Sequence, residues 1–421
     1  MLRKIRPVEV ELGMFIHKLE GSWFKHPFWK SKFLLEDPVT LQDLRDSDVS
    51  GVVIDITKGR CPDQPAPRPA GNVAAPVATL ARRAALAPRA QPFDLASTAR
   101  HGIAREFGHA QTVAKRSEKM VSRVFLQSRL GKAVDATLVE PVISDIFASV
   151  QRNPHAFNGL MRCKRDNQYV FQHALAVSAL MISLARALKL SPAELRNAGM
   201  AGLLLDVGIG HLPLDLHSTA ADYRDFSEEV LQGHTTLGYE YLRMGGDIPE
   251  DVALVALQHH ERMDGSGYPQ GLTGPQISQL SRMAAVCDVY DALVTDRANH
   301  RGLDPGTAIV QMQEMAGKFD GRMLDAFILA IGAHPVGSVV RLASERLALV
   351  IDQDPADHTL PRVRSFFSIR TGRLSQPEDI ALAQCFGQDR IVAVADPETY
   401  GIKDFAQLRL RIFTAACKSA G

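Results

Sequence analysis

The chain has 421 residues, a formal net charge of +1, 46% hydrophobic residues and 23% charged residues. This length suffices for two or three domains with a sizeable core, and the composition is that of a soluble globular protein. The near-neutral charge balance gives no electrostatic basis for a nucleic acid or an anionic membrane as partner, so we expect neither.

Residues 1–59 are predicted to form a small β-containing domain. The segment VEVEL (8–12) alternates apolar and acidic residues, and GVVIDI (51–56) is a short run of β-branched residues beside a turn-like glycine. Residues 60–100 are dense in proline and alanine and poor in large apolar side chains. This composition predicts a semi-extended linker.

Residues 101–335 are predicted to form a helical domain, because apolar residues recur there with the period of an α-helix. The clearest stripes are Val139, Val142, Ile143, Ile146 and Val150, and Val177, Leu180, Met181, Leu184 and Leu188. After residue 335 short strand patterns return, namely SVVRL, LALVID, SFFSI and RIVAVAD. The chain is therefore predicted to be mainly α, with a short β-rich C-terminal module at 336–421.

The cysteine pattern and the apolar segments bear on location. Five cysteines are scattered along the chain without CxxC spacing, which is typical of reduced thiols in a cytoplasm. The basic start MLRKIRPVEVEL lacks the apolar stretch of a signal peptide. The most apolar helical segment, Ala174–Ala185, contains two serines and is too short to span a bilayer. We expect a cytoplasmic protein with no membrane span.

Polar side chains occupy apolar positions on five predicted helical segments. They are His173, Asp206, His234, His259, His260 and Asp288. Each one alone is better explained as a core residue satisfied by a hydrogen bond. Together, the four imidazoles and two carboxylates would each need a separate buried partner, whereas shared divalent cations compensate all of them. The pattern therefore predicts a metal site for iron, manganese or zinc.

A glycine-rich loop follows the last two histidines of this set. Its sequence, HHERMDGSGYPQGLTG (259–274), contains four glycines and a proline, which favour a tight backbone that can approach a ligand or partner closely. Tyr268 adds an aromatic face with a hydroxyl group. Gly265, Gly267, Tyr268 and Pro269 are therefore candidate substrate-binding residues, and the alternative is a rigid surface turn.

Residues 103–335 resemble the HD-GYP domains, the branch of the HD phosphohydrolase superfamily whose members hydrolyse cyclic di-GMP. The resemblance rests on the motifs YVFQHALAVS, HTTLGYEYL, HHERMDGSGYPQGL and RMAAVCDVYDALVTDR, and on the helix that ends at Asp206. Residues 4–59 resemble the small domain of unknown function often found ahead of HD-GYP domains in bacteria. The resemblance implies an HD-type helical bundle, a site for two or three metal ions, often iron or manganese, and a cyclic dinucleotide substrate.

The resemblance also implies roles for individual residues and partners. The six histidines and aspartates named above match metal-ligand positions, and Asp206 is expected to bridge two ions and to be the catalytic residue. Arg297 matches a basic residue that contacts phosphate in the family. Diguanylate cyclase (GGDEF) domains are implied as partners of the glycine-rich loop. Whether the chain forms a homodimer through the helix at 103–130 is left open.

The chain departs from the family pattern at three single positions and again after Arg297, where Ala298, Asn299 and His300 replace the usual Pro, Tyr and basic residue. Leu205 stands where the family has the histidine of its His-Asp pair, and Ile209 stands where it has a phosphate-binding lysine. Tyr169 stands where some members have a glutamate that binds a third metal. Leucine has no lone pair to donate and isoleucine offers only hydrocarbon to a phosphate. We therefore predict a degenerate site that binds one ion rather than two.

Three functions remain open on the sequence. The favoured one is a regulator or binding module of cyclic di-GMP signalling with weak or no hydrolysis. The second is an active cyclic di-GMP phosphodiesterase that tolerates the substitutions, and the third is a structural module whose histidines are hydrogen-bonded only to the protein. Metal content separates the third from the others, and turnover by metal-replete protein separates the first two.

Overall fold

The structure, a computed structural model, describes most of the chain. The described residues are 2–20, 33–35, 38–45, 51–60, 102–163, 169–212, 227–244, 247–295, 302–315, 317–354, 356–403 and 405–419. These residues form a mainly helical fold with an antiparallel sheet near each end, which confirms the predicted fold class. Apart from Arg60, the linker predicted at 60–100 lies outside the described residues.

The N-terminal domain is a four-stranded antiparallel sheet in the order β1-β4-β2-β3, with one helix. Its elements are β1 (Leu2–Ile5), β2 (Phe15–Glu20), β3 (Phe33–Leu34), α1 (Pro38–Arg45) and β4 (Gly51–Asp55). The prediction of a strand at VEVEL (8–12) is wrong. Pro7–Glu9 form a 3-10 turn instead, because Pro7 fixes the backbone there and the Glu9 carboxylate accepts a 2.8 Å hydrogen bond from the backbone N–H of Arg6.

The helical domain follows as eleven described helices. They are α2 (Ile103–Arg129), α3 (Ala136–Arg152), α4 (Pro154–Cys163), α5 (Tyr169–Ala187), α6 (Pro192–Leu204), α7 (Glu228–Gln232), α8 (His234–Met244), α9 (Glu250–Gln258), α10 (Gln279–Val294), α11 (Pro305–Glu314) and α12 (Gly321–Ile331). A 3-10 turn, Val207–His211, follows α6. The two apolar stripes predicted on α3 and α5 are buried, except that Leu188 is only partly buried.

Helix α5 lies at the centre of this domain and contacts α6, α10 and α12. The apolar part of this helix is longer than the segment Ala174–Ala185 identified in the sequence, and by length and composition alone it could cross a membrane, so the expectation that it is too short is wrong. However, 83% of its window Val170–Ala187 is buried inside the protein, as in the core helix of a folded domain. The position of α5 matters for function because it carries His173 into the interior.

The C-terminal part is a five-stranded antiparallel sheet in the order β8-β7-β6-β5-β9, followed by a helix. Its elements are β5 (Val339–Leu342), β6 (Arg346–Asp352), β7 (Arg362–Ser368), β8 (Arg373–Ala381), β9 (Ile391–Val394) and α13 (Phe405–Ser419). Four of the strands lie at the predicted patterns, whereas β8 and α13 were not predicted. The sheet shares one hydrophobic core with the helical domain, and Phe413 of α13 packs on Phe107 of α2 with ring centroids 4.9 Å apart.

Helix α2 contributes to both hydrophobic cores. Phe107 and Phe125 lie in the core of the helical domain. Near the other end of the helix, Leu126 and Leu130 pack with the core of the N-terminal sheet. The last turns of α2 therefore join the two parts of the molecule.

Candidate metal centre

The six predicted ligands come from five parts of the helical domain and meet in its interior. His173 lies in α5, His234 is the first residue of α8, and Asp288 lies in α10. The remaining three lie directly after helices, Asp206 after α6 and His259 with His260 after α9. Five of the six are buried, and His260 is partly exposed. The structure thus brings together all six.

The two oxygens of Asp206 face different imidazoles. Its Oδ1 lies 3.3 Å from Nε2 of His234 and 3.5 Å from Nε2 of His259. Its Oδ2 lies 3.5 Å from Nε2 of His173, and that nitrogen lies 3.1 Å from Oδ1 of Asp288. His260 reaches the second carboxylate, with Nδ1 3.8 Å from Oδ2 of Asp288. Asp206 therefore stands between two groups of donor atoms.

The hydrogen bonds of His234 and His259 test whether these atoms fit a metal. His234 Nδ1 lies 2.5 Å from the carbonyl oxygen of Leu231, and His259 Nδ1 lies 3.0 Å from that of Val255. A carbonyl only accepts, so each Nδ1 carries the hydrogen and each Nε2 of a neutral ring presents a lone pair. These two lone pairs face each other across 3.3 Å beside the Asp206 carboxylate. Such a set of acceptors fits a shared cation.

The charge states of the cluster favour metal binding as well. Burial alone would raise the pKa of Asp206, but the adjacent His234 and His259 hold that pKa well below its usual value. Burial would lower the pKa of His234, but the Asp206 carboxylate raises it. Burial, followed by the nearby His259, lowers the pKa of His260 well below its usual value. Asp206 is therefore ionised and His260 is neutral near pH 7, which are the forms that bind metals, and a bound cation would displace the proton that Asp206 favours on His234.

Two of the residues that depart from the family pattern lie close to Asp206 in the chain. Leu205 is 1% exposed and packs in the hydrophobic core. Ile209 is partly buried in the 3-10 turn that follows Asp206. Neither side chain offers a donor atom or a charge, so neither position supplies the group that the resemblance predicts.

The 3-10 turn after Asp206 is held between α2 and α8. A Cβ atom on Gly208 would lie 1.9 Å from the carbonyl oxygen of His234, so only glycine permits this close contact with α8. On the opposite side, Nε of Arg129 donates a 2.7 Å hydrogen bond to the carbonyl oxygen of Gly210. Ser128 donates a 3.3 Å bond to the carbonyl oxygen of Val207. The end of α2 therefore fixes the backbone next to Asp206.

His211, at the end of this turn, does not supply the positive charge that Ile209 lacks. Its Nε2 lies 2.8 Å from the hydroxyl of Ser128, and its ring packs beside Tyr241 with centroids 5.3 Å apart. Burial, and then the charge of Arg129, lower the pKa of His211 to about 4. The imidazole is therefore neutral near pH 7.

The glycine-rich loop 259–274 is fixed by a buried carboxylate. Glu261 is 1% exposed and accepts hydrogen bonds from the backbone N–H of Gln270 at 2.7 Å and of Leu272 at 2.9 Å. A Cβ atom on Gly267 would lie 2.4 Å from the Cα of Glu261, so the backbones are in close contact there. Tyr268 stacks on His260 with ring centroids 4.6 Å apart. The loop thus presents an aromatic ring beside the cluster.

The other predicted loop residues lie further along this turn, and one predicted residue is not described. Gly265 adopts a φ of +81°, in the left-handed region that favours glycine. Pro269 is exposed. Arg297 lies outside the described residues, so its predicted contact with phosphate stays a prediction.

Two buried carboxylates of the site were not predicted from the sequence. Glu261 follows His260 directly. The available sign of its role was that it is an acidic residue in a glycine-rich loop, next to candidate ligands. Asp291 is 6% exposed, and its Oδ2 lies 2.7 Å from Nδ1 of His173. Its signal was its position three residues after Asp288, on the same face of a helix.

Sequence comparisons with known proteins identify the family of the chain. Residues 149–323 match the HD domain family, and residues 2–139 match a domain of unknown function, DUF3391. The chain is 37% identical to a cyclic di-GMP phosphodiesterase from Pseudomonas aeruginosa, over 100% of this chain and 98% of that protein. It is 36% identical to a cyclic di-GMP phosphodiesterase response regulator from Xanthomonas campestris, over 34% of this chain and 39% of that protein.

A solved structure of an HDG"Y"P protein from Bdellovibrio bacteriovorus also aligns with the chain. The alignment covers 78% of this chain and 98% of that one, with a TM-score of 0.44 and 17% sequence identity.

Proposed function

Because the chain belongs to the HD-GYP branch of the HD-domain family, with a DUF3391 domain at its N-terminal end, we propose that it is a cyclic di-GMP signalling protein. We propose further that its metal centre is degenerate and that it hydrolyses cyclic di-GMP weakly or not at all. In this proposal it acts as a regulator or binding module. The observation that carries the proposal is Leu205, a buried hydrocarbon side chain next to Asp206.

The donor set supports one tightly held ion of iron or manganese. One donor atom from each of Asp206, His234, His259 and His260 lies within 4.8 Å of the others. On the other side of Asp206, His173 and Asp288 remain, but Leu205 adds no lone pair. Loss of an outer-shell partner alone commonly costs about 10–100-fold in metal affinity or activity. Loss of a ligand therefore supports a centre with one ion rather than two.

The same substitutions support weak hydrolysis. Divalent cations bound in such a centre lower the pKa of the attacking water and neutralise charge on the phosphodiester. In this chain Asp206 would hold such cations, while Ile209 supplies only hydrocarbon at the position where the resemblance implies a phosphate-binding lysine. Charge stabilisation is often the largest single contribution to catalysis. A binding role that needs no second ion is therefore favoured.

The glycine-rich loop supports recognition. We propose that Tyr268 and its neighbours Gly265, Gly267 and Pro269 contact cyclic di-GMP or a GGDEF-domain partner, and that Arg297 contacts phosphate. The stacked pair of Tyr268 and His260 supports this, because it presents an aromatic ring next to the ligand cluster.

The second candidate is an active cyclic di-GMP phosphodiesterase. It is favoured by the convergence of the six other ligands and by the 37% identity to a phosphodiesterase over the whole chain. A purely structural role is disfavoured, because the Nε2 atoms of three histidines converge within 3.5 Å of one buried carboxylate instead of each having a separate partner.

Anaerobic reconstitution with Fe²⁺ or Mn²⁺, followed by elemental analysis and a cyclic di-GMP hydrolysis assay, tests the proposal. We expect about one retained ion per chain after dialysis, because one donor group keeps its imidazole and carboxylate ligands intact, and little turnover. The His234→Ala variant should lose most of the bound ion, whereas His109→Ala, at an exposed position of α2, should not. Two stoichiometric ions with brisk hydrolysis would establish the active phosphodiesterase instead.

We also propose a cytoplasmic location. Among the described cysteines, Cys287 and Cys385 carry free thiols, as expected in a reducing compartment. A homodimer through α2 stays a prediction.

A further inference from the structure

Three imidazoles turn Nε2 toward the ligand cluster, and the bond made by Nδ1 fixes the orientation of each ring. His234 and His259 use carbonyl oxygens of their own helical segments for this purpose. The Nδ1 atom of His173 instead lies 2.7 Å from a side chain, Oδ2 of Asp291. The orientation of His173 therefore depends on an atom that a substitution can remove.

Asp291 and His173 are well placed for such a role. Asp291 is 6% exposed and His173 is 5% exposed, so water competes little for the bond between them. One helix, α10, supplies carboxylates to both sides of the ring. Asp288 lies 3.1 Å from Nε2 and Asp291 lies 2.7 Å from Nδ1. The hydroxyl of Thr295 also lies 3.5 Å from the same Asp291 oxygen, one turn along the helix.

The chemistry of the bond selects one tautomer. Carboxylates lie against both ring nitrogens, Asp291 at 2.7 Å from Nδ1 and Asp288 at 3.1 Å from Nε2, and each ionised carboxylate only accepts hydrogen bonds. The contact at Nδ1 is the shorter one, and only on the Nε2 side could a cation take the place of the hydrogen, so the hydrogen is assigned to Nδ1 of His173. In the neutral ring the lone pair then lies on Nε2, the nitrogen that faces Asp206 and Asp288. Carboxylates that orient histidines in this way typically raise the basicity of the ligand and tune metal affinity.

We propose that Asp291 is a positioning residue of the metal centre. It holds His173 as the Nδ1–H tautomer with Nε2 directed at Asp206 and Asp288. This inference rests on the proposed metal centre, and it assigns to Asp291 a role that acts wholly through His173.

A double-mutant cycle in Mn²⁺ affinity tests the proposal. The ion concerned is the weakly held one on the His173 and Asp288 side of Asp206, so Mn²⁺ is titrated beyond the concentration that fills the His234 side. Asp291→Ala should weaken this second binding step about 10–100-fold, and Asp291→Asn should weaken it less because an amide oxygen still accepts from Nδ1. In a His173→Ala background, Asp291→Ala should change the affinity less than about twofold, because its target is absent. Equal losses in both backgrounds would overturn the proposal.

A matched control separates positioning from stability. Glu106 is another buried carboxylate, 0% exposed and paired with Arg152 at 2.6 Å, in a different part of the helical domain. Glu106→Gln should lower Tm but leave Mn²⁺ affinity unchanged. If Asp291→Ala behaved in the same way, its role would be structural and the proposal would be wrong.

The tautomer itself can be measured by NMR of ¹⁵N-labelled histidines in metal-free protein at alkaline pH. We expect His173 to carry its hydrogen on Nδ1 in the wild type and to show a mixture of tautomers in Asp291→Ala. An unchanged tautomer in the variant contradicts the proposal. If the wild type bound no divalent cation, the proposed function would fail, whereas this measurement would still decide the role of Asp291.

Discussion

The neighbours of Asp206 along the chain can be read from the sequence, whereas its neighbours in space come from other helices. The residues that converge on Asp206 could therefore be predicted only in part. The helical period predicted that Asp206 and five other polar residues point inward, and the structure brings them together. The period contains no information on hydrogen-bond direction, so it did not reveal that Asp291 faces His173. Buried partners of ligands are set by contacts between helices, which a single sequence does not list.

At this scale the first prediction concerns a repair. Leu205→His together with Ile209→Lys should restore measurable cyclic di-GMP turnover in Mn²⁺-loaded protein, and each single change should recover less. The effects should be non-additive. A lysine at position 209 that binds phosphate contributes little as long as position 205 supplies no metal ligand.

Folding and metal content have to be measured as controls for this repair. Leu205 is 1% exposed, and overpacking a core position typically costs about 1–3 kcal/mol, so the Tm of each variant has to be measured beside the assay. A folded double variant that binds two ions yet stays inactive would show that these two substitutions do not explain the proposed weak hydrolysis.

The partly buried His211 should make stability depend on pH. Its pKa is about 4 in the folded protein, below the usual 6.5, so between these values the unfolded chain binds a proton that the folded chain does not. Stability is therefore lost as pH falls through this window, by about 3 kcal/mol for the full shift.

Urea unfolding of wild type and His211→Gln at pH 7 and at pH 4 measures this effect. The stability of the wild type relative to the variant should fall as the pH is lowered, because only the wild type has the titrating imidazole. A constant difference between the two proteins would contradict the assigned cause.

At the scale of elements, most helices and strands were predictable, whereas the edge strand β8 and the helix α13 were not. The strands β5, β6, β7 and β9 match short apolar patterns. Strand β8 lies at the sheet edge and contains Pro377 and charged residues, a composition that edge strands tolerate and strand patterns exclude. Helix α13 becomes identifiable only through Phe405 and Phe413, which pack on the rest of the core.

The glycine-rich loop is the element with a testable recognition role. Tyr268 is only partly buried and stacks on His260, while the buried Glu261 holds the loop backbone. Tyr268→Ala should therefore leave Tm nearly unchanged but weaken binding of cyclic di-GMP or a GGDEF-domain partner, measured by calorimetry. Glu261→Gln is the contrasting variant and should lower Tm. Unchanged binding of both ligands to Tyr268→Ala would rule out the recognition role.

At the scale of the whole molecule, the N-terminal sheet and the metal centre are linked through α2. Leu126 and Leu130 pack with the sheet, and Ser128 and Arg129, between them in sequence, hold the turn that follows Asp206. Helical periodicity predicted α2 but not its division between two cores, because apolar residues look alike whichever core they enter.

Deleting residues 1–101 should therefore affect both parts of the molecule. The deletion exposes Leu126 and Leu130, and we expect a lower Tm together with weaker Mn²⁺ binding, measured by thermal unfolding and titration. Arg129→Met in the full chain should reproduce the weaker Mn²⁺ binding in part, because it removes only the bonds to the turn. Full metal affinity in the truncated chain would show that the sheet and the centre are independent.

The sharing of α2 between two cores bears on how such a protein can be assembled by gene fusion. A crossover inside residues 61–101 would separate the N-terminal sheet from Leu126 and Leu130, which complete its core. A crossover after Arg129 would keep them together. The DUF3391 match spans residues 2–139 and thus includes all of α2. The unit that a gene fusion has to keep together is therefore the N-terminal sheet with α2. A helical domain fused to this unit also acquires the Ser128 and Arg129 side chains, which contact the turn after Asp206.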